Sequence, residues 1–179
     1  MKKFALVLLS GFALVTSVKA QKKEGLTFGV GVEAALPLGD FKTTHTFGIG
    51  GNVNAEYAFS ENVTGIFTTG YTSYFGKTYT FDFGGGPVSE KAPAVGHIPL
   101  LVGARYYTPV NFFVGAQVGY GIFTGGGGDA PKGFEYRPQV GFDFSGFQVA
   151  LSYDGVSVTG GTLSHLGLTG IYTFGGSGK

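Results

Sequence analysis

The chain lacks cysteine and tryptophan, has one methionine, and is sparsely charged, with Asp, Glu, Lys and Arg making up 13% of its 179 residues. Without cysteine there is no disulfide framework, no thiolate metal site and no residue that a lipoprotein-type acyl anchor could modify. Clustered Lys and Arg are also missing, so no nucleic-acid surface is expected. Lys2, Lys3 and Lys19 precede residue 21, and the 9 remaining basic residues face 11 acidic ones, a net charge of −2. Beyond that point no helical period persists, and no apolar run reaches the length of a membrane-spanning helix.

The first twenty residues, MKKFALVLLSGFALVTSVKA, differ from the rest. A basic start, an apolar run too short to span hydrocarbon, and small residues at Val18-Lys19-Ala20 predict a secretory signal cleaved near Ala20. The remaining length suits one domain, Gln21–Phe174, followed by a short tail over 175–179. Glycine is abundant, at 34 residues, alongside 18 Phe and 10 Tyr. A collagen repeat would put glycine at every third position, and disorder would lack the aromatics. Glycine and aromatics in short alternating runs point to a β-barrel.

Eight such runs are legible: Leu26–Leu36, Thr46–Phe59, Val63–Phe75, Gly96–Tyr107, Asn111–Phe123, Phe134–Phe144, Phe147–Tyr153 and Leu163–Phe174. Three connections are tight (Ser60–Asn62, Thr108–Val110, Ser145-Gly146) and four are long (Pro37–His45, Gly76–Val95, Thr124–Gly133, Asp154–Thr162). Long and short alternate along the chain, as they must in a meander whose long loops share one end. The expected fold is all-β: an eight-stranded antiparallel up-and-down transmembrane β-barrel.

One register of these strands is apolar. The other carries Glu33, Asn52, Asn54, Glu56, Arg105, Gln117, Glu135, Arg137, Gln139, Asp143 and Gln148, interleaved with Gly29, Gly31, Gly48, Gly50, Gly103, Gly115, Gly119 and Gly141. An exposed soluble face would carry lysine and avoid glycine, yet no lysine falls inside a strand. A narrow lumen fits better, because an eight-stranded barrel is just wide enough for its own side chains. Glycines there would make room for Arg105 and Arg137, with Glu33, Glu56, Glu135 and Asp143 as their expected carboxylate partners. Aromatics are expected to form an interfacial girdle at the short-turn end: Phe28, Tyr57, Phe59, Tyr106, Phe112, Phe142, Phe144, Phe147, Tyr172 and Phe174. Five features fit less well. Val63–Phe75 alternates poorly, Leu101 and Phe113 fall on the polar face, and Pro99 and Pro138 interrupt strands, where a local bulge is expected.

With the leader, the LPLGDF segment closing the first strand, FGIGGNVNAEYAFSENV with its short turn, and the last strand LGLTGIYTF, the chain resembles the small outer-membrane β-barrels of Gram-negative bacteria. These are the OmpA/OmpX-like barrels, labelled porin-like in Bacteroidota. The resemblance spans Gln21–Phe174 and implies residence in the bacterial outer membrane, both chain ends in the periplasm and four loops outside. It further implies a terminal aromatic, here Phe174, read by the assembly machinery, although GGSGK follows it. The expected partners are outer-membrane lipid, that machinery, and an extracellular ligand met through the long loops, chiefly Phe41–His45 and Gly76–Val95. A monomer with no cofactor is expected.

Chemistry-bearing motifs are few. Gly76-Lys77-Thr78 lacks the upstream glycine and following helix of a phosphate loop. His45, His97 and His165 lie near the long-loop rim, where three imidazoles could ligate a metal or His165 could serve a lipid hydrolase with Ser164. Neighbours on one strand point to opposite faces, which disfavours that hydrolase pair, and rim residues of no special chemistry are the expectation. The expected role is therefore structural or surface-contacting, not enzymatic, with the polar network plugging the lumen. Two alternatives stay open: a lipid-modifying enzyme with its site at the rim, and a soluble exported lipocalin-like barrel with an apolar lumen.

Overall fold

A computed structural model of the protein describes residues 25–82, 86–126 and 130–175. The expected signal segment Met1–Ala20 and the tail beyond Gly175 lie outside the described residues. Strands β1 (Gly25–Leu38), β2 (His45–Ala58), β3 (Val63–Gly76), β6 (Val95–Tyr107), β7 (Phe112–Gly125), β8 (Lys132–Asp143), β9 (Phe147–Val158) and β10 (Gly161–Gly175) form a closed barrel. Each pairs antiparallel with its neighbours in sequence, and β1 closes the ring by pairing with both β2 and β10. Val30, for example, lies between Val53 and Tyr172. Closure leaves the barrel no open edge.

Because side chains alternate along a strand, closure sends one register inward and the other outward. The outward register exposes Phe28, Val30, Val32, Ile49, Val53, Leu100, Val102, Val118, Leu151 and Leu168. The inward register is buried and mostly polar. Strand β3, whose alternation looked poor, obeys the same rule: Thr64, Ile66, Thr68, Thr72 and Tyr74 point in, while Phe67, Tyr71 and Phe75 point out. Its threonines face the lumen, so apolarity alone did not reveal the period.

The prolines do not create bulges. The β3–β6 ladder breaks between Thr69↔Leu100 and Thr72↔His97, and the β8–β9 ladder between Tyr136↔Gly155 and Gln139↔Ser152, each resuming in unchanged register. A proline removes one donor, but Pro99 keeps its place opposite Gly121 and Pro138 opposite Ala116 on the other side. A register shift does occur in the β2–β3 ladder, between His45 and Phe47.

The long-loop end also departs from expectation. Asp154–Thr162 is not a long loop: β9 continues to Val158 and a tight turn at Thr159-Gly160 leads into β10. The Gly76–Val95 connection carries a separate hairpin of β4 (Thr78–Asp82) and β5 (Pro87–Lys91). Between β1 and β2 sits the single turn α1 (Phe41–Thr44). Phe41, expected in a contact loop, is only 4% exposed and packs into the barrel mouth against Tyr74, Phe123 and His45. Burying an aromatic ring over the mouth gains more than leaving it in solvent. The hairpin root holds α1 in place. Lys77 donates its backbone N–H to the Thr44 carbonyl (2.8 Å) and its Nζ to the Lys42 carbonyl (2.5 Å), while the Tyr79 hydroxyl donates to the Thr43 carbonyl (2.6 Å).

Two apolar clusters therefore bracket the lumen: Ala35, Phe41, Tyr74, Phe123 and Val156 at the long-loop end, and Tyr107, Phe113 and Ala150 at the short-turn end. Leu101 and Phe113, the apolar residues on the polar face, are fully buried there. Replacing Phe113 by alanine should cost about 3–5 kcal/mol of unfolding free energy by urea titration. Val110→Ala, at a turn position 71% exposed, should change it by less than about 0.5 kcal/mol.

Candidate functional site

The inward polar residues assemble into two clusters with a thin middle layer. Nearer the short turns, Arg105 projects from β6 where Gly115 faces it on β7. A Cβ at Gly115 would come within 2.8 Å of Arg105 Cγ, so the glycine makes room for the guanidinium stem. Arg105 Nη1 donates to Glu56 Oε1 (2.7 Å) and Gln148 Oε1 (2.8 Å), and Nη2 to Gln139 Oε1 (2.7 Å). Its guanidinium lies 4.5 Å from the centre of the Phe113 ring, a cation–π contact in a desolvated setting. Tyr107 donates to Glu56 Oε2 (3.3 Å), and Gln148 Nε2 links the Tyr107 hydroxyl to Asp143 Oδ2 (3.2 Å). Asp143 does not join an arginine. It is half-exposed at the turn and accepts the Gly146 N–H (3.3 Å) instead.

The second cluster lies beneath Phe41. Arg137 binds Asp154 through Nε and reaches Glu135 Oε1 through Nη2 (3.5 Å). His97 Nε2 is 3.0 Å from Glu135 Oε2. Ser152 donates to Asp154 Oδ2 (2.7 Å) and Thr72 to Glu33 Oε1 (3.3 Å). His165 Nε2 points between Asp154 Oδ2 (3.6 Å) and Glu33 Oε1 (3.8 Å), with the Tyr74 ring against its imidazole. Glycines again make the space. A Cβ at Gly121 would sit 2.6 Å from Glu135 Oε2, and one at Gly167 2.7 Å from Ser152 Oγ.

Between the clusters, Asn52, Asn54, Thr68 and Gln117 line a void of about 10 Å³, room for one water at most. The Asn54 amide donates to Asn52 Oδ1 (3.4 Å).

Three placements differ from expectation. Asp154, assigned to a loop, is the main carboxylate partner of Arg137. It continues the parity of Gln148, Ala150 and Ser152 by one step, and that parity was the available signal. His97 and His165 are lumen residues, not rim residues, on the parity of Arg105 and of Thr169. His45 stays apart, at the mouth, with Nδ1 2.8 Å from Thr44 Oγ1. Among the described residues no three His, Cys, Asp or Glu side chains are placed to share a metal ion. Ser152 donates to Asp154, and His165 Nε2 has no hydrogen-bond partner among the described residues, so no serine–histidine pair forms with it.

Outside, the aromatics at the short-turn end contact one another, with ring centres 6.4 Å apart for Phe28–Phe174, 5.2 Å for Tyr57–Phe59 and 5.2 Å for Phe112–Phe142. Phe144 follows at 6.2 Å from Phe142, and Tyr106, Phe147 and Tyr172 are exposed on the same wall. A second outward set, Phe47, Tyr71, Phe75, Tyr120 and Phe134, belongs to the long-loop half, so the aromatics do not gather at one end alone.

No protein-family profile and no curated sequence match the chain. Solved structures do. The attachment invasion locus protein Ail of Yersinia pestis aligns over 84% of this chain and 99% of its own, with a TM-score of 0.56 at 14% identity. The outer membrane protein OprG of Pseudomonas aeruginosa covers 88% of this chain and 99% of its own at TM-score 0.51 and 11% identity. Neisserial surface protein A covers 83% and 95%, at 0.52 and 13%. The fold is that of the small eight-stranded outer-membrane barrels. At such low identity the likeness is one of fold alone, and the Arg105 and Arg137 clusters are described from this chain alone.

Arg105→Met should cost about 3–5 kcal/mol, measured by urea unfolding, because it strips a guanidinium from buried Glu56, Gln139 and Gln148. Adding Glu56→Gln should recover part of that loss.

Proposed function

We propose that the chain is an integral outer-membrane barrel with a structural or surface-contact role, without enzymatic activity, and with its lumen closed by the Glu/Arg/Gln network. One observation carries this reading: the wall is apolar outside and polar inside. An outer surface of Val30, Val32, Val53, Val102 and Leu168 would be a large liability in water, whereas in lipid it is the required face. The lipocalin-like alternative needs an apolar lumen, and the inward register holds four buried carboxylates and two guanidinium groups. The rim-enzyme alternative needs a nucleophile beside a base, and Ser152 and His165 each turn to Asp154 instead. Strands of 12–15 residues exceed the roughly 9–11 needed to cross the hydrocarbon at a tilt, leaving their ends and the aromatic rings at the interfaces.

Orientation follows from the turns. The short turns and both chain ends would face the periplasm, and α1 with the β4–β5 hairpin would face outward. Contact with an extracellular ligand then falls to the hairpin, where Phe81 and Val88 are exposed, and not to buried Phe41. On this reading the barrel is a monomer that serves as a wall-spanning platform.

Cell fractionation followed by electrophoresis of boiled and unboiled samples tests the placement. The protein should sediment with the outer membrane and migrate anomalously unless heated, and recovery from the soluble periplasm would overturn the reading. Val53→Arg should cost about 2–4 kcal/mol in lipid if that site lies near mid-depth. Reconstituted in planar bilayers, a barrel whose lumen the Glu/Arg/Gln network closes should show no steady ion conductance.

A further inference from the structure

Among the described residues, three hydrogen bonds fasten α1 to the rest of the protein, and all three end on Lys77 and Tyr79 at the hairpin root. The other bonds of this segment stay inside it and move with it. The Thr43 N–H and hydroxyl both donate to the Asp40 carbonyl (3.0 and 2.6 Å). The Thr44 hydroxyl meets the Phe41 carbonyl (3.3 Å) and His45 Nδ1 (2.8 Å).

Both flanks of α1 are suited to bending. Gly39 has a φ of +53°, a conformation that favours glycine, and a side chain there would meet only Ser164 Oγ, at 3.9 Å. On the other flank the β2–β3 ladder shifts register between His45 and Phe47. The β1–β2 ladder ends at Ala35↔Gly48, so no pairing between these two strands braces the segment above that point. A few element-terminal residues of this kind are what a hinge uses.

The closed mouth also carries a cost. Tyr74 Oη and His165 Nε2 are buried, at 0% and 1% exposure, with no hydrogen-bond partner among the described residues. The Phe41 ring lies 4.8 Å from the Tyr74 ring, which lies 5.5 Å from His165, so both orphaned groups sit close beneath the stopper. Water reaching them would restore their hydrogen bonds. Burial of Phe41 favours closure and hydration of the two groups favours opening, and these effects are of comparable size. The three bonds to the hairpin root then set the balance.

We infer that α1 is a hinged lid on the barrel mouth and that the β4–β5 hairpin, through Lys77 and Tyr79, is its latch. Displacing the hairpin root releases Phe41 and admits water and small solutes to the layer that holds Tyr74, Val156 and His165. Lys77 is placed to pass such a movement on. Its carbonyl accepts the Ala92 N–H (2.8 Å) while its own N–H holds Thr44, so both arms of the hairpin connect to the lid through one residue. Strand β5 is exposed along its whole length, so the latch is reachable from outside. That an outside partner touches the hairpin rests on the surface-contact reading above; the lid and its latch do not, and thiol labelling in vesicles reads them separately.

Val156→Cys places one thiol in the apolar cluster under Phe41, in a chain that has no cysteine of its own. In phosphatidylcholine vesicles, a water-soluble methanethiosulfonate reagent reads how often that thiol is uncovered. With the latch intact, labelling should be slow. Tyr79→Phe removes one bond and Lys77→Met a second, and each should speed labelling by roughly 2- to 13-fold. Ala150→Cys, in the apolar cluster at the short-turn end, should keep its own slow rate in the same variants. In a Phe41→Ala background labelling at Val156→Cys should be fast, and Tyr79→Phe should add nothing, because the latch then holds no stopper. A rate at Val156→Cys unchanged by the latch replacements would overturn the inference. So would an equal rise at Ala150→Cys, which would mean general loosening, or a further rise from Tyr79→Phe once Phe41 is gone. Should the double latch variant fail to fold, Tyr79→Phe alone still decides.

Discussion

An eight-stranded ring leaves a lumen that its own side chains fill, and every polar group turned inward must then find its partner inside. That constraint organises the molecule. It explains why Gly115 stands opposite Arg105 and why Gly121 and Gly167 flank Glu135 and Ser152, since a Cβ at each would occupy the space of a charged or hydroxyl group. It explains why guanidinium groups are used, because one arginine serves Glu56, Gln139 and Gln148 together. It also explains the apolar caps at both ends, which keep water from competing for those bonds.

The two halves of the lumen differ in character. Near the short turns, Arg105 is matched to Glu56 and amides, with Phe113 beneath it. Near the loops, carboxylates outnumber the guanidinium, histidines intervene, and the cap above is a single aromatic ring on one turn of helix. That cap is tied to the hairpin through Lys77 and Tyr79. A contact made by the hairpin on the outside is thus mechanically close to the charged cluster within, separated from it by Phe41.

Much of this is legible in the sequence. Period-two alternation located all eight barrel strands and sorted Glu33, Asn52, Asn54, Glu56, Arg105, Gln117, Glu135, Arg137, Gln139 and Gln148 to one face, because closure preserves parity along each strand. What escaped had physical reasons. Asp154 lay beyond an apparent strand end, since glycine at 155 and small residues after it look like a loop although β9 runs on. Inward threonines on β3 blurred its pattern. Phe41 looked like loop decoration because helix α1 is one turn long, and only packing shows that its ring fills the mouth. His97 and His165 shared the parity of lumen residues, but their neighbours across the barrel come from distant segments, which local spacing does not reveal.

The absence of cysteine allows single cysteines to be introduced one at a time along Gly51–Phe59 and spin-labelled in vesicles. Collision with oxygen, which concentrates in lipid, should alternate with period two. It should be high at positions 53, 55 and 57, while 52, 54 and 56 remain shielded from both oxygen and a water-soluble nickel reagent. If the odd positions collided instead with the aqueous reagent, or if no alternation appeared, the division into a lipid-facing wall and a self-satisfied polar lumen would be contradicted.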